Sequence, residues 1–365
     1  MSIGIVADVH VGNHRQSGGE MTCGVNVRCR EVLDVLEMAA REVRTLVVAG
    51  DLFDVSNPSP QVITATAEAL SSAEEVVILV GNHERVSMRD GDHALGPLGL
   101  LPNVTVVQNS TVLHIAGTCL VCIPHHVGRP MEWLPDELDK LDFPDGSILV
   151  THVGIADDGT PPWLVNSDCI HIGHVNLLCD EYRLRGVVVG DWHDHKWWRH
   201  GDVSSVAKAK EAAHIVQVGA LVPTGWDNPG VSGYGVVLKV PEFRGRRFPG
   251  PRFVTVGSLV EAEEALSEAH GSGATVRIRV RAAQDDNSEA RVDALRNDPV
   301  CKGLTFEVPK GLSREAADNA VASIRAGGSV EDMVLQYIEG MELNDKLKEA
   351  VISAAVSAIA TSGGE

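Results

Sequence analysis

Short apolar runs alternate with segments of helical spacing along the first two thirds of the chain. The apolar runs predict buried strands at residues 3–7, 45–49, 76–80, 148–150 and 187–189, with further short strands at 104–107, 112–115 and 119–123. Helical spacing predicts helices at 25–43 and at Pro60–Leu70, the second with Ser59 as its N-cap. Strands that are apolar on both faces are typical of α/β folds, in which helices cover both sides of a sheet.

The pattern changes after about residue 213. Residues 213–240 read as hairpin strands, and the Pro-, Gly- and Arg-rich segment 241–252 predicts a linker or an exposed loop. An α+β pattern follows, with helices at 258–269 and 288–296 and strands at 275–280 and 304–308. The last segment, 328–361, reads as two amphipathic helices. We therefore predict a main domain at 1–240, a small α+β capping domain at 241–327 and a helical tail at 328–365.

The composition is that of a globular protein. The 365 residues are 44% hydrophobic and 22% charged, and no apolar run reaches the roughly 18 residues of a membrane span. The first residues have no basic segment of a signal peptide, and seven cysteines do not form a disulfide framework. We therefore expect a cytoplasmic protein without a membrane partner.

The net charge of −19 argues against tight, unaided binding to a phosphate backbone. Most of the excess acid precedes residue 241. A few carboxylate ligands of metal ions account for only a small part of it.

Five of the predicted strands end in residues that can bind metal ions. These residues are Asp8 and His10, Asp51 and Asp54, Asn82 and His83, His152, and Asp191 and His193, in the order of their strands. Sites in α/β sheets form beyond the carboxyl ends of the strands. Mixed nitrogen and oxygen donors suit Mn, Fe, Zn or Ni, and so many donors suit two ions about 3.5–4 Å apart. Such a pair clamps an in-line displacement at phosphorus.

The motifs Asp8-Val9-His10, Gly50-Asp51-Leu52-Phe53-Asp54, Gly81-Asn82-His83-Glu84, Thr151-His152-Val153-Gly154 and Gly190-Asp191-Trp192-His193 occur in that order. The string resembles the calcineurin-like metallophosphoesterase superfamily, whose pattern is DxH, GDxxD, GNH[DE], H and GHxH. The resemblance implies a four-layer sandwich of two mixed β-sheets flanked by helices. It implies that Asp8, His10 and His193 hold one metal ion.

The same resemblance implies roles for the remaining motif residues. Asn82, His152 and Asp191 would hold the second ion, with Asp51 bridging the two, and His83 would protonate the leaving oxygen. Asp191 departs from the pattern, which has histidine there. A carboxylate is a harder donor and adds negative charge, which favours Mn or Mg.

Within the superfamily the chain is most similar to SbcD-type nuclease subunits of bacterial and bacteriophage repair and recombination complexes. The similarity lies in the GDLFD segment with its preceding helix and strand, in the helix containing SPQVITATAEAL, and in the layout of a small domain followed by a tail with DMVLQYI. It implies an SMC-like coiled-coil ATPase partner that docks on the tail, and a homodimer.

Several residues keep two interpretations. His193-Asp194-His195 is a second possible HxH pair, although Gly190 directly follows the strand and favours the first alignment. Asp54 either orients a metal-binding histidine or caps a helix. His125 follows a strand and either reaches substrate phosphate or is a solvated loop residue, and Arg85 is a further candidate for substrate contact.

The favoured function is a two-metal phosphodiesterase, most simply with Mn²⁺, that acts as a DNA exo- or endonuclease in repair or recombination. The first alternative is a stand-alone phosphodiesterase or phosphatase for nucleotides or other small phosphoesters. The second is a non-catalytic binding subunit with the same fold, against which the complete ligand set argues.

Overall fold

The computed structural model describes residues 2–14, 19–87, 92–162, 165, 168–200, 213–226, 234–239, 242–248, 250, 252–281 and 289–306. Its α-helices are α1 (Val27–Glu42), α2 (Pro60–Leu70), α3 (Pro130–Asp139), α4 (Ile172–Glu181), α5 (Leu259–Ser272) and α6 (Glu289–Arg296), and a 3₁₀ turn spans Leu98–Leu100. Within the described residues, no helix is long and apolar enough to cross a membrane.

The strands, in chain order, are β1 (Ile3–Val6), β2 (Met21–Thr22), β3 (Val25–Asn26), β4 (Thr45–Val48), β5 (Glu75–Leu79), β6 (Val104–Val107), β7 (Thr111–Ile115), β8 (Thr118–Ile123), β9 (Ile148–His152), β10 (Gly154–Ala156), β11 (Cys169–His171), β12 (Gly186–Gly190), β13 (Lys196–Arg199), β14 (His214–Gln217), β15 (Tyr234–Lys239), β16 (Glu242–Arg247), β17 (Arg252–Val256), β18 (Val276–Val280) and β19 (Cys301–Phe306).

Two mixed six-stranded sheets form the main body. The first has the order β16-β15-β1-β4-β5-β6, in which β1, β4, β5 and β6 are parallel. The second has the order β13-β14-β12-β9-β8-β7, in which β14, β12, β9 and β8 are parallel. The antiparallel strands β15 and β16 extend the first sheet at one edge, and the antiparallel strands β13 and β7 lie at the two edges of the second.

Three buried apolar layers hold the sandwich together. Ile5 and Val47 of the first sheet pack in one layer with Val150 and Val188 of the second. The outer face of the first sheet packs on α1 and α2, and the outer face of the second packs on α3 and α4. Because both faces of each sheet are covered, its central strands are apolar throughout. The predicted four-layer α/β sandwich is confirmed.

Helix α2 has the predicted bounds and the predicted cap, since the Ser59 hydroxyl accepts from the Val62 amide at 3.3 Å. Helix α1 is capped by Asn26, whose side chain accepts from the Cys29 amide at 2.8 Å. Asn26 also donates to the His14 carbonyl at 3.3 Å and therefore ties the loop after β1 to the start of α1.

The linker prediction is wrong for Glu242–Arg247, which forms the edge strand β16 against β15. Arg246 on this strand makes two hydrogen bonds of 2.6 and 2.7 Å to the Glu42 carboxylate at the end of α1. An edge strand is solvated on one side, so its arginines resemble those of a loop in sequence. The expectation of hairpins also needs correction, because β14 belongs to the second sheet and β15 to the first.

A three-stranded sheet of order β17-β18-β19 follows, and α5 and α6 have close to the predicted bounds. Met1–Val280 and Asn287–Thr305 form one compact unit. The other unit, Arg281–Asp286 and Phe306–Glu365, lies almost wholly outside the described residues, and the predicted tail at 328–365 lies entirely outside them. The division into domains at residues 240 and 327 therefore stays a prediction.

Candidate metal centre

The five predicted strand ends converge on one place. Strands β1, β4 and β5 are parallel neighbours in the first sheet, and β9 and β12 are parallel neighbours in the second. Within the described residues, three groups of side chains each bring their ligand atoms within 4.8 Å of one another: Asp8, His10 and His193; His10, Asp51 and His83; and Asp8, Asp51 and His152. The predicted ligands thus share a single site at the seam of the two sheets.

The backbone at this site is strained. Four residues of the cluster have positive φ, with values of 49° at Asp8, 50° at His10, 51° at Asp51 and 92° at Asp191. Such conformations cost about 1–3 kcal/mol each and persist where the surrounding structure enforces them. Here the enforcement is visible, because the His10 amide donates to the Asp51 carbonyl at 3.0 Å.

Two glycines allow the strand ends to approach each other. Gly50 has a φ of 92°, and a Cβ atom at this position would overlap the imidazole of His152. A Cβ atom at Gly81 would overlap the Asp51 carboxylate. Each glycine therefore leaves room for a predicted ligand from another strand.

One end of the cluster is rich in nitrogen. The Nε2 atoms of His10 and His193 are 3.1 Å apart, and His193 Nδ1 lies 3.1 Å from the Thr224 hydroxyl. Burial and the neighbouring His10 lower the pKa of His193 to about 4, so its ring is neutral at pH 7. Two facing imidazole nitrogens beside the Asp8 carboxylate suit a transition-metal ion.

The other end is rich in oxygen and surrounds His152. The Nε2 atom of this ring is 2.9 Å from Asn82 Oδ1, 3.3 Å from Asp51 Oδ1 and 3.9 Å from Asp191 Oδ1. Ligands about 2.1 Å from one ion lie about 3–4 Å from one another, so these separations fit a shared cation. His152 Nδ1 donates to the Ala49 carbonyl at 2.7 Å, which directs Nε2 toward the cluster.

The oxygen atoms at this end repel one another unless a positive charge lies among them. Burial opposes the charged form of His152, but the charges of Asp51, Asp8 and Asp191 outweigh burial and raise the pKa of the ring. If the Asn82 amide is turned over, its nitrogen lies 3.0 and 3.1 Å from the two Asp51 oxygens. With its oxygen toward Asp51, acceptors face one another, and a cation between them would relieve that repulsion. The residues therefore fit a divalent metal ion.

Asp51 lies between the two ends. Its carboxylate is 3.3 Å from His152 Nε2 and 3.9 Å from both His10 Nε2 and His83 Nε2. Burial opposes ionisation of Asp51, but these imidazoles lower its pKa below the usual range. Burial raises the pKa of Asp8 and Asp191 instead. Buried carboxylates with these partners indicate a site built for cations.

Glu84 was not among the predicted site residues, although it belongs to the GNHE motif. Its fully buried carboxylate accepts from the amides of Gly81 at 2.8 Å, Phe53 at 2.8 Å and Asp51 at 3.2 Å. Burial and the Asp51 charge raise the pKa of Glu84 to about 7. Glu84 thus fastens the loop after β4 to the loop after β5.

His83 lies at the mouth of the cluster, with 41% of its side chain exposed. Its amide donates to Asp51 Oδ1 at 3.0 Å, and its Nδ1 donates to the Asp54 carbonyl at 2.7 Å. The backbone therefore orients the ring, whose Nε2 lies 3.9 Å from Asp51 Oδ2 at the mouth of the cluster.

Asp54 lies beside two histidines of the loop after β1. Its carboxylate is 3.6 Å from His10 Nδ1 and 3.5 Å from His14 Nδ1. The helix-cap interpretation of Asp54 is wrong, because Ser59 caps α2. His14 and Thr224 were missed by sequence reasoning. His14 follows His10 by four residues and could have been noticed, whereas nothing local marks Thr224.

The other predicted contacts lie at different distances from the cluster. His195 is outside the three ligand groups and its Nδ1 donates to the Val218 carbonyl at 3.0 Å, so the second HxH alignment is not the one that the structure brings together. The His125 ring is 6.2 Å from the His152 ring, and burial lowers the pKa of His125 to about 4. Arg85 donates to the His125 carbonyl at 2.8 Å and so lies on the same wall.

Comparison with known proteins places this geometry in a family. Residues 1–195 match the calcineurin-like phosphoesterases. The chain is also 32% identical over 120 residues to the DNA double-strand break repair protein Mre11 of Methanopyrus kandleri. That match covers 30% of this chain and 24% of the relative, so it spans about a quarter of the relative's length.

Solved structures also resemble the chain, at low identity. TT1561 of Thermus thermophilus is 14% identical with a TM-score of 0.43, and the match covers 67% of this chain and 98% of that one. The purple acid phosphatase PPD1 of yellow lupin (Lupinus luteus) is 14% identical with a TM-score of 0.41, covering 68% of this chain and 51% of that one.

Proposed function

Since this chain belongs to the calcineurin-like phosphoesterase family, we propose that it is a metal-dependent phosphodiesterase that acts as a DNA nuclease in repair or recombination. The observation that carries the proposal is the convergence of buried carboxylate, amide and imidazole donors around Asp51, with His83 at the mouth. The similarity to a DNA double-strand break repair protein supports the choice of substrate.

In this proposal Asp8, His10 and His193 hold one divalent ion, and Asn82, His152 and Asp191 hold the other. Asp51 bridges them, which its central position supports. When bound, the ions stabilise the charge that develops on the phosphoryl oxygens and activate water at neutral pH. Mn²⁺ is the proposed native ion, because oxygen donors are numerous and no cysteine belongs to the ligand groups.

His83 is the proposed general acid. Its Nδ1 proton is held by the Asp54 carbonyl, so a proton on Nε2 can be passed outward to the leaving oxygen. Asp54 also lies beside His10, so one residue orients both the proposed acid and a proposed ligand. Asp51 accepts from the His83 amide and fixes the distance between acid and metal cluster.

The charge of the chain bears on how DNA would be bound. A net charge of −19 disfavours unaided binding to a duplex, so we propose that an SMC-like ATPase supplies most of the DNA affinity. The proposed docking segment is the predicted amphipathic tail at 328–365. Deleting it should leave hydrolysis of a small phosphodiester intact and abolish ATPase binding in a pull-down. A soluble truncated protein that still binds the ATPase would contradict this partner proposal.

The same charge favours the alternative, a stand-alone phosphodiesterase or phosphatase for small phosphoesters, since small substrates need no extended basic surface. One experiment distinguishes the nuclease from the small-phosphoester enzyme and from a non-catalytic subunit. Metal-free protein is supplied with Mn, Mg, Zn or Ni and tested on a chromogenic phosphodiester, cyclic nucleotides, and linear single- and double-stranded DNA.

For the nuclease we expect Mn-dependent cleavage of DNA that Asp51→Asn loses and His114→Ala keeps, because His114 is an exposed residue of β7 outside the ligand groups. Turnover of small esters alone would favour the alternative. No turnover of any substrate, with metals bound, would favour a non-catalytic subunit.

A further inference from the structure

The two ends of the metal cluster differ in their donor atoms. The nitrogen-rich end has the imidazoles of His10 and His193, which are 3.1 Å apart, beside Asp8. The oxygen-rich end has three oxygen donors, from Asn82, Asp51 and Asp191, within 2.9–3.9 Å of His152 Nε2. The two ends therefore differ in the hardness of their donor atoms and in the negative charge that those atoms carry.

Asp191 is held firmly at this seam. Its amide donates to both oxygens of Asp8 at 3.0 and 3.1 Å, and its φ of 92° fixes the direction of the side chain. The Asp191 carboxylate is only 22% exposed, and its Oδ1 lies 3.9 Å from His152 Nε2. Asp191 is thus held between the two sheets, unlike a solvated surface acid.

We infer that the two metal positions have different preferences, and that Asp191 is the specificity-determining residue that shifts the oxygen-rich position from Zn²⁺ toward Mn²⁺. Imidazole suits Zn, Fe and Ni, whereas carboxylate and carbonyl oxygens suit Mn and Mg. Zn²⁺ binds most donor sets more tightly than Mn²⁺, so the two positions differ in the ratio of their Zn²⁺ affinity to their Mn²⁺ affinity. With both metals present, Zn²⁺ therefore displaces Mn²⁺ from the nitrogen-rich position at a lower concentration than from the oxygen-rich position.

This inference rests on the proposed metallohydrolase function, and its test measures binding rather than turnover. The full-length metal-free protein is titrated with Mn²⁺ and with Zn²⁺ by calorimetry. It is then dialysed against both ions together and analysed for bound metal. The variants are Asp191→His, which supplies a nitrogen donor, and Asp191→Asn, which keeps an oxygen donor without the charge.

We expect two binding steps in the unchanged protein, and mixed occupancy after dialysis against Mn²⁺ in excess over Zn²⁺. Asp191→His should raise the Zn-to-Mn affinity ratio of one step by about ten- to a hundredfold, the size of effect seen when groups around a metal site are altered. Asp191→Asn should weaken Mn²⁺ at the same step and change the ratio less. Asp145→His is the matched control, because Asp145 is 69% exposed, pairs with Arg183 and is outside the ligand groups.

An unchanged ratio in Asp191→His, or an equal change at both steps, would overturn the inference. If Asp191→His fails to fold by circular dichroism, the nearly isosteric Asp191→Asn decides: loss of Mn²⁺ affinity at one step supports the inference, and no loss overturns it. Failure of the proposed function would give a different result. The two positions would still bind metal with different Zn-to-Mn affinity ratios, but no phosphodiester would be cleaved.

Discussion

At the scale of single residues, the site combines strained backbone with buried charge. Asp8, His10, Asp51 and Asp191 have left-handed φ values directly after strands. Glu84 offsets part of that cost, because it accepts three amide hydrogen bonds from the loops that carry Asp51 and Asn82. The strained residues are thus the predicted metal ligands, and the strain accompanies their placement at the site.

His83→Ala is expected to retain both metals and to lose about a hundred- to ten-thousandfold in turnover, the usual contribution of a general acid. The reason is its partly exposed ring at the site mouth, with Nδ1 held by the Asp54 carbonyl. Elemental analysis together with kinetics tests this, with His114→Ala as the control. Loss of metal would make His83 a ligand, and an unchanged rate would remove its role.

Asp51→Asn is expected to reduce the occupancy of both metal positions, whereas His10→Ala reduces mainly one. Asp51 lies near both His152 and His10, whereas His10 lies 3.1 Å from His193 and belongs to the nitrogen-rich end. The measurement is the ratio of bound metal to protein after dialysis. A loss of one ion in each variant would rule out a bridging Asp51.

At the scale of elements, the site depends on how helix α1 is anchored. Asn26 caps α1 through the Cys29 amide and donates to the His14 carbonyl, in the loop that carries His10. The Asn26 amide also donates to the Asn13 side chain at 2.8 Å. One buried residue therefore fixes both a helix start and a loop of the metal cluster.

Asn26→Ala is expected to lower the free energy of unfolding by about 2 kcal/mol, the upper end of the range for a lost N-cap, because the bond to His14 is lost as well. Asn26→Asp keeps the capping oxygen and should cost less. Ser59→Ala, which removes the cap of α2 alone, is the control at about 1 kcal/mol. Denaturant unfolding measures all three, and a smaller loss in Asn26→Ala than in Ser59→Ala would contradict the argument.

At the scale of the whole molecule, both sheets meet at the metal cluster. The hydrogen bond from Asp191 to Asp8 joins residues 183 positions apart, and the His152–Asn82 contact joins residues 70 positions apart. A cation that neutralises buried carboxylates at such a junction stabilises the folded chain and has no preformed site in the unfolded one.

Removal of metal by a chelator is therefore expected to lower the melting temperature, and readdition of Mn²⁺ to restore it. At about a hundred times the dissociation constant, each ion adds about 2.7 kcal/mol to the free energy of unfolding. Calorimetry with and without chelator measures the difference, and Asp51→Asn should respond much less. Equal melting temperatures for the metal-free and loaded protein would contradict a site of this kind.

The sequence was sufficient for features that depend on local pattern. The bounds of α2, the central apolar strands and the grouping of Asp8, Asp51 and Asn82 follow from periodicity and from the rule that parallel strands end at one edge. Strands β13 and β16 escaped prediction because each lies at a sheet edge, where polar residues are tolerated. Thr224 and the Ala49 carbonyl could not be found, since their histidine partners are 31 and 103 residues away.

The hydrogen bond between Asp191 and Asp8 also bears on how the protein is made. Asp8, His10, Asp51 and Asn82 leave the ribosome well before His152, Asp191 and His193, so the nascent chain carries an incomplete chelate while the second sheet is still being synthesised. The pairing of β9 with β12 sets His152 opposite Gly190, so the donors of the second sheet lie together only when these strands are side by side. We therefore expect tight metal binding only once the two sheets have closed, so that the finished arrangement of donors, rather than their order of synthesis, determines which ion is retained.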